Sequence, residues 1–203
     1  MKNPIHHRLP DLKSGNGSWF KRCERGFTLI ELIITITIFG ILTAIAIPNL
    51  SDLVNAQRVK TGTGDLYASL IFARSEAIKR NLLVKMCAAN STLDGCGNGT
   101  DWAAGWIVFI DANDDDYPNA ASDILKKQES LPKVTLTGTS ARVSYQRDGR
   151  LKTSITLTGT PAGTAFVASS PSNNSIPGRC VILDVSGRPN IKADTNQNAA
   201  DGC

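Results

Sequence analysis

Hydrophobic and polar positions divide the chain into four stretches. Residues 1–26 are mostly polar and basic. Residues 27–47, "FTLIELIITITIFGILTAIAI", form 21 mostly apolar positions with one charge, Glu31, and Pro48 comes next. As a helix this run spans about 30 Å, the thickness of a bilayer core. Residues 49–82 then take a helical period: Leu66, Leu70, Ala73 and Ala77 recur on one face, Ile71 and Ile78 widen the stripe, and Arg74, Lys79 and Arg80 lie outside it. The glycines of "TGTG" at 61–64 weaken this helix by roughly 1 kcal/mol each. A break there, or one helix of about 80 Å from Phe27 to near Arg80, both stay open.

From residue 83 the pattern turns to short β-branched runs between Gly, Asp, Asn and Pro. It predicts strands at 83–88, 105–110, 133–137, 141–146, 153–158, 164–168 and 179–185. "YQRDGRLK" carries an Asp-Gly hairpin signal, and a turn is expected at Ser186-Gly187. The expected fold is α+β: a long N-terminal helix packed on an antiparallel β domain at 83–203.

Charge and cysteine count change the picture at Gly26. The net charge is +4, but six of the 22 basic and two of the 18 acidic residues lie in 1–26, leaving sixteen of each sign beyond it. The basic character belongs to the first segment and gives no argument for nucleic acid. Both histidines, His6 and His7, are also there, as is Cys23. If this segment is removed, no histidine remains for a Ser-His-Asp or Cys-His site or a His-ligated metal. Four cysteines remain, which can pair fully. No nucleophile-base pair, phosphate loop or metal cluster is evident, so neither enzyme nor cofactor is expected.

The basic stretch before the apolar run should stay cytoplasmic, which places the residues after the run in a compartment where disulfides form. A secretory signal peptide ending at Ala44-Ile45-Ala46 and a plain uncleaved anchor both fit the apolar run. Neither explains Glu31, since a carboxylate at the centre of a membrane helix costs roughly 2.5–3.5 kcal/mol.

"RGFTLIEL" at 25–32 resembles the processing motif of type IV prepilins and type II secretion pseudopilins. The resemblance implies that prepilin peptidase cuts between Gly26 and Phe27 and methylates the new Phe27 amine. Glu31 would then neutralise that amine, its own or a neighbour's. Pro48 matches a position where the family's helix bends or loosens; a plain helix terminator is the competing reading. "ARSEAIKRN", a strand ending in Cys, and "WAAGWIVFIDAN" resemble the FimT/FimU/GspH branch of minor pilins and pseudopilins. This implies a subunit of the bacterial inner membrane with a periplasmic domain, 27–48 as transmembrane and assembly helix, and 49–82 as amphipathic helix. Its partners would be other pilins or pseudopilins, and it would prime assembly near the tip of a pilus or pseudopilus.

Three further patterns carry chemistry. Cys87 and Cys96 bracket a short polar loop, and Cys180 and Cys203 bracket the C-terminal tail. This local pairing is preferred among three connectivities. "DANDDD" at 111–116 partly resembles a calcium loop through Asp111, Asn113 and Asp115, but lacks its glycine and distal Glu; a solvated turn is the other reading. Arg179, Arg188 and Lys192 lie near the C-terminal strands. DNA-uptake pilins resembling this branch carry a G-R-x-R element, whereas Asn190 stands here for the second arginine. DNA is therefore a possible but not favoured partner.

Overall fold

A computed structural model describes residues 26–152, 163–171 and 176–194, apart from the side chains at 45–49. One helix, α1, runs Leu29–Arg80. It contributes to two units that divide between Thr43 and Ala44. It continues through position 48, so Pro48 does not end it, and through the glycines at 62 and 64. Packing explains the second point. A β-carbon at position 62 would stand 2.9 Å from Leu131 Cδ1, so a larger residue there would push that side chain aside. Beside it, buried Thr63 donates to the Val59 carbonyl at 2.7 Å. Tertiary contact outweighs the lost propensity.

In the second unit α1 buries Val59, Leu66, Leu70, Ala73 and Ala77. Ile71 and Ile78, expected to widen that stripe, are 41% and 50% exposed. Each comes one position after a buried residue, about 100° around the helix.

Two antiparallel four-stranded sheets meet this face. The first has the order β3 (Ile124–Gln128), β2 (Trp106–Ile110), β1 (Val84–Ala88), β5 (Arg142–Tyr145). The second has the order β4 (Thr135–Gly138), β6 (Gly163–Ser169), β7 (Gly178–Asp184), β8 (Pro189–Asp194). Val84, Met86, Val108, Leu136, Phe166 and Val181 join the helix residues in one core. Trp102 meets Phe166 edge to face at 4.9 Å and donates its indole N–H to the Ser140 carbonyl. Because strand side chains alternate, Lys85, Cys87 and Ala89 point to the other face of the first sheet. There Cys87, Ala89, Cys96, Ile107 and Phe109 form a second, smaller cluster. Both faces are covered, which is why β1 is buried at every position.

Six of the seven expected strands are present; the seventh, 153–158, lies outside the described residues. β3 and β8 were not expected. β3 carries two lysines, of which Lys126 donates to Ser69 on α1 at 2.9 Å. β8 opens with Pro189, which is tolerated at the start of an edge strand. The Asp-Gly hairpin forms: Gly149 takes φ +78° and donates to the Gln146 carbonyl at 2.8 Å. The second turn forms with the Gly187 N–H on the Asp184 carbonyl at 2.9 Å.

Candidate functional site

The first unit presents an apolar helix with one carboxylate. Gly26 and Phe27 precede α1, and Phe27 is 82% exposed. Thr28 caps the helix: its carbonyl accepts from Leu32 N–H and its hydroxyl from Glu31 N–H, 3.2 Å. Glu31 thus sits at the third helical position, favourable for an acid at the positive end of the helix dipole. Thr28-x-x-Glu31 is the spacing of a capping box, a signal in the sequence that the motif reading passed over. Leu29, Ile30, Leu32, Ile34 and Leu42 are all uncovered, and at 100° per residue they lie on every side of the helix. The hydroxyls of Thr35, Thr37 and Thr43 donate back to the carbonyls of Glu31, Ile33 and Phe39. Each of these hydroxyls is thereby satisfied within the helix, as apolar surroundings require; the Glu31 carboxylate is the group left to be matched. Among the described residues no helix is long and apolar enough to cross a membrane; within the 27–47 run the described side chains end at Ala44.

In the second unit the 111–116 loop is organised around Lys85. Asp111 is fully buried and accepts the N–H groups of Asp114, Asp115 and Asp116 at 2.7, 3.2 and 2.9 Å. The buried Lys85 ammonium contacts Asp111 at 2.6 Å, Asp114 at 2.7 Å and Asp116 at 2.5 Å, and Lys152 closes on Asp114 from outside. The alternating grouping does not form: the three carboxylates that converge are Asp111, Asp114 and Asp116, not Asp111, Asn113 and Asp115, and an ammonium stands where an ion would. The solvated-turn reading holds for residues 112–115, which are exposed, but not for Asp111, which is core. Burial would lower the Lys85 pKa, but hydrogen bonds to Asp111, Asp114 and Asp116 raise it above the usual lysine range. Burial likewise works to raise that of Asp111, and the Lys85 hydrogen bond and loop N–H groups lower it. Hydrogen bonds from Lys152, then Lys85, bring Asp114 down to about 2. The signal in the sequence was Lys85 itself, a lysine inside a run otherwise apolar.

Cys87 and Cys96 are joined by a disulfide across a separation of nine. Cys180 is also disulfide-bonded; Cys203, its expected partner, lies outside the described residues, as does Cys23. The disulfide loop and the Lys85 loop touch, with Cys96 Sγ 3.6 Å from the Asp116 carbonyl.

The cations proposed for DNA do not form one strip. Arg179 pairs in register with Ala193, and Cys180 with Lys192. Alternation therefore puts Arg179 on the face towards α1 and Lys192 on the opposite face. Exposed Arg188 sits at the far end, where its N–H reaches Asp184 at 3.4 Å.

Known proteins share this architecture. Residues 63–187 match the family described as type II transport protein GspH, and residues 21–47 match the prokaryotic N-terminal methylation motif. The type IV minor pilin FimU of Pseudomonas aeruginosa has the same fold: TM-score 0.53 at 18% identity, over 70% of this chain and 96% of that one. The pilin-like protein PilA1 of Thermus thermophilus is 34% identical over 90 residues, 44% of this chain and half the length of that relative. A fimbrial protein of Pseudomonas aeruginosa is 28% identical over 150 residues, 68% of this chain and 90% of that relative. The chain belongs to the GspH family and carries the prokaryotic N-terminal methylation motif, and it shares its fold with FimU.

Proposed function

We propose that the chain is a minor subunit of a type IV pilus or of a type II secretion pseudopilus. On this reading prepilin peptidase cuts between Gly26 and Phe27 and methylates the Phe27 amine. Residues 27–48 hold the subunit in the inner membrane, with the α+β domain in the periplasm. The subunit then joins other pilins or pseudopilins near the filament tip and primes assembly, without catalysing a reaction. The observation that carries the proposal is Glu31, the one charge in the apolar run 27–47, whose described apolar side chains are uncovered all round the helix. A carboxylate in such surroundings needs a cation, and the cut creates one at Phe27. The pilin-like and fimbrial relatives support the same reading. Intact-mass spectrometry of the membrane-extracted protein tests it. The expected mature chain begins at methylated Phe27; a chain beginning at Ile47 would mean signal-peptide cleavage and overturn the proposal.

A further inference from the structure

α1 between Leu50 and Gly62 is bordered by grooves on two flanks, each with an apolar floor and two cations. On one flank Arg58 and Lys133 stand over Leu50 and Val54 in a groove of about 350 Å³. It shares Val54 and Arg58 with an almost wholly apolar trough of about 290 Å³ that runs on to Leu131 and Val134. On the other flank Lys60 and Arg179 stand over Leu53 and Ala193 in a groove of about 280 Å³. None of the four cations has an ion-pair or hydrogen-bond partner among the described residues. The carboxylates on the same segments, Asp52 of α1 and Asp194 of β8, are already engaged. Leu50, Leu53 and Val54 are 61%, 66% and 42% exposed.

Unmatched positive charge beside an open apolar trough suits an anionic amphiphile. The sequence narrows the choice, because these grooves begin within a few residues of the end of the apolar run at Ile47. We propose that the grooves beside residues 50–62 of α1 bind anionic phospholipid, with Arg58/Lys133 and Lys60/Arg179 holding phosphate and the apolar floors taking acyl chain. Arg and Lys side chains make charge-assisted hydrogen bonds to phosphate oxygens, and covering an open apolar floor with acyl chain removes it from water. Duplex DNA fits less well, since the cation pairs lie on two flanks of the helix and over apolar floors, not on one polar face. The inference rests on the reading of 27–48 as membrane-embedded.

The test uses the full chain in neutral-detergent micelles with equal amounts of phosphatidylglycerol and phosphatidylcholine of the same acyl chains. Native mass spectrometry counts the lipids retained. Phosphatidylglycerol is expected to be preferred, and the preference to fall by at least about fivefold when all four cations are neutralised (R58Q, K60Q, K133Q, R179Q). The basic residues of 1–26 are the same in both proteins, so the difference reports the grooves. Lys60→Arg with Lys133→Arg keeps the charges and is expected to keep the preference. Equal retention of both lipids, an unchanged preference in the fourfold variant, or loss of it in the charge-keeping variant would each overturn the proposal. So would displacement of the lipid by a short DNA duplex at physiological salt. Micelle binding requires neither processing nor a bilayer span, so this failure is distinct from a mature chain that begins at Ile47.

Discussion

Lys85 does for the 111–116 loop what a bound ion does for a carboxylate loop: it collects Asp111, Asp114 and Asp116 and is itself buried. A cation delivered on a side chain cannot be chelated away. Added calcium or a chelator is therefore expected to leave the melting temperature of the intact chain unchanged; a clear upward shift with calcium would show that the ammonium does not hold the site. Lys85→Met leaves Asp111 buried without its counter-charge, and breaking a buried pair in this way costs about 3–5 kcal/mol. Urea unfolding is expected to show a loss of that size, and a change within about 0.5 kcal/mol, the range of an ordinary surface substitution, would contradict the assignment. The pH dependence has a definite sign. Asp114 sits at about 2 in the fold against an ordinary 3.8, so its contribution is present above about 4 and disappears as pH falls through 2. Lys85 is raised from 10.5, so its contribution holds below 10.5 and fades only at higher pH. Thermal melts should be level between these limits and drop on the acid side first. At Glu31 two roles need separating, the helix cap and the amine partner. Thr28→Ala removes the cap and keeps the acid; Glu31→Ala removes the acid. If pairing with Phe27 governs assembly, cleavage continues in both, and only Glu31→Ala leaves the subunit out of filaments, as scored by subunit content of purified filaments.

At the scale of elements, the outer face of the first sheet is closed by two loops, one held by the Cys87–Cys96 disulfide and the other by Lys85. A loop of this length gains about 2–3 kcal/mol from its cross-link in the chain-entropy account. Cys87→Ser with Cys96→Ser is expected to lose that much in urea unfolding while β1 and β2 remain paired, which amide exchange at Ile107 and Phe109 reads directly. Complete exchange at those positions would mean that the disulfide holds the whole sheet, not its cover. The same region shows where the sequence was legible. β1, β2 and β7 were, because their apolar runs have no competing period and are bounded by turn residues. The Asp148-Gly149 turn was, because its chemistry is local. β3 was not: "ILKKQ" becomes a strand through pairing with β2 and the reach of Lys126 to Ser69, contacts between residues far apart in the chain. Ile71 and Ile78 were misplaced because a stripe drawn too wide counts a neighbour 100° away as the same face. The carboxylates around Lys85 were misgrouped for a related reason. Alternate spacing suits an extended loop, whereas Asp114 and Asp116 take positive φ, 64° and 71°, and turn their carboxylates inward.

For the whole molecule, the question with most consequence is whether the domain captures DNA as well as joining a filament. Beyond residue 26 the charges balance, sixteen of each sign, so there is no general field to draw in a polyanion. A local strip is the alternative, and the register of β7 with β8 divides it. Arg179 faces α1 while Lys192 faces away, so one duplex can meet Arg188 and Lys192 but not Arg179 at the same time. Two phosphate contacts give a slope of about −1.8 in log K against log[salt]. Such binding is weak and fades well before physiological ionic strength, about 0.15 M. Gel-shift titration of the purified chain against a short duplex, at graded salt, measures that slope, and Arg188→Ala should reduce it by about 0.9. The basic residues of 1–26 would add contacts of their own, so the comparison belongs to the processed form. Tight binding that survives physiological salt, with a slope of about −4 or steeper and lost in Arg188→Ala, would require several more cations on one face than this sheet provides. DNA capture would then become the function of the domain, and the filament its carrier.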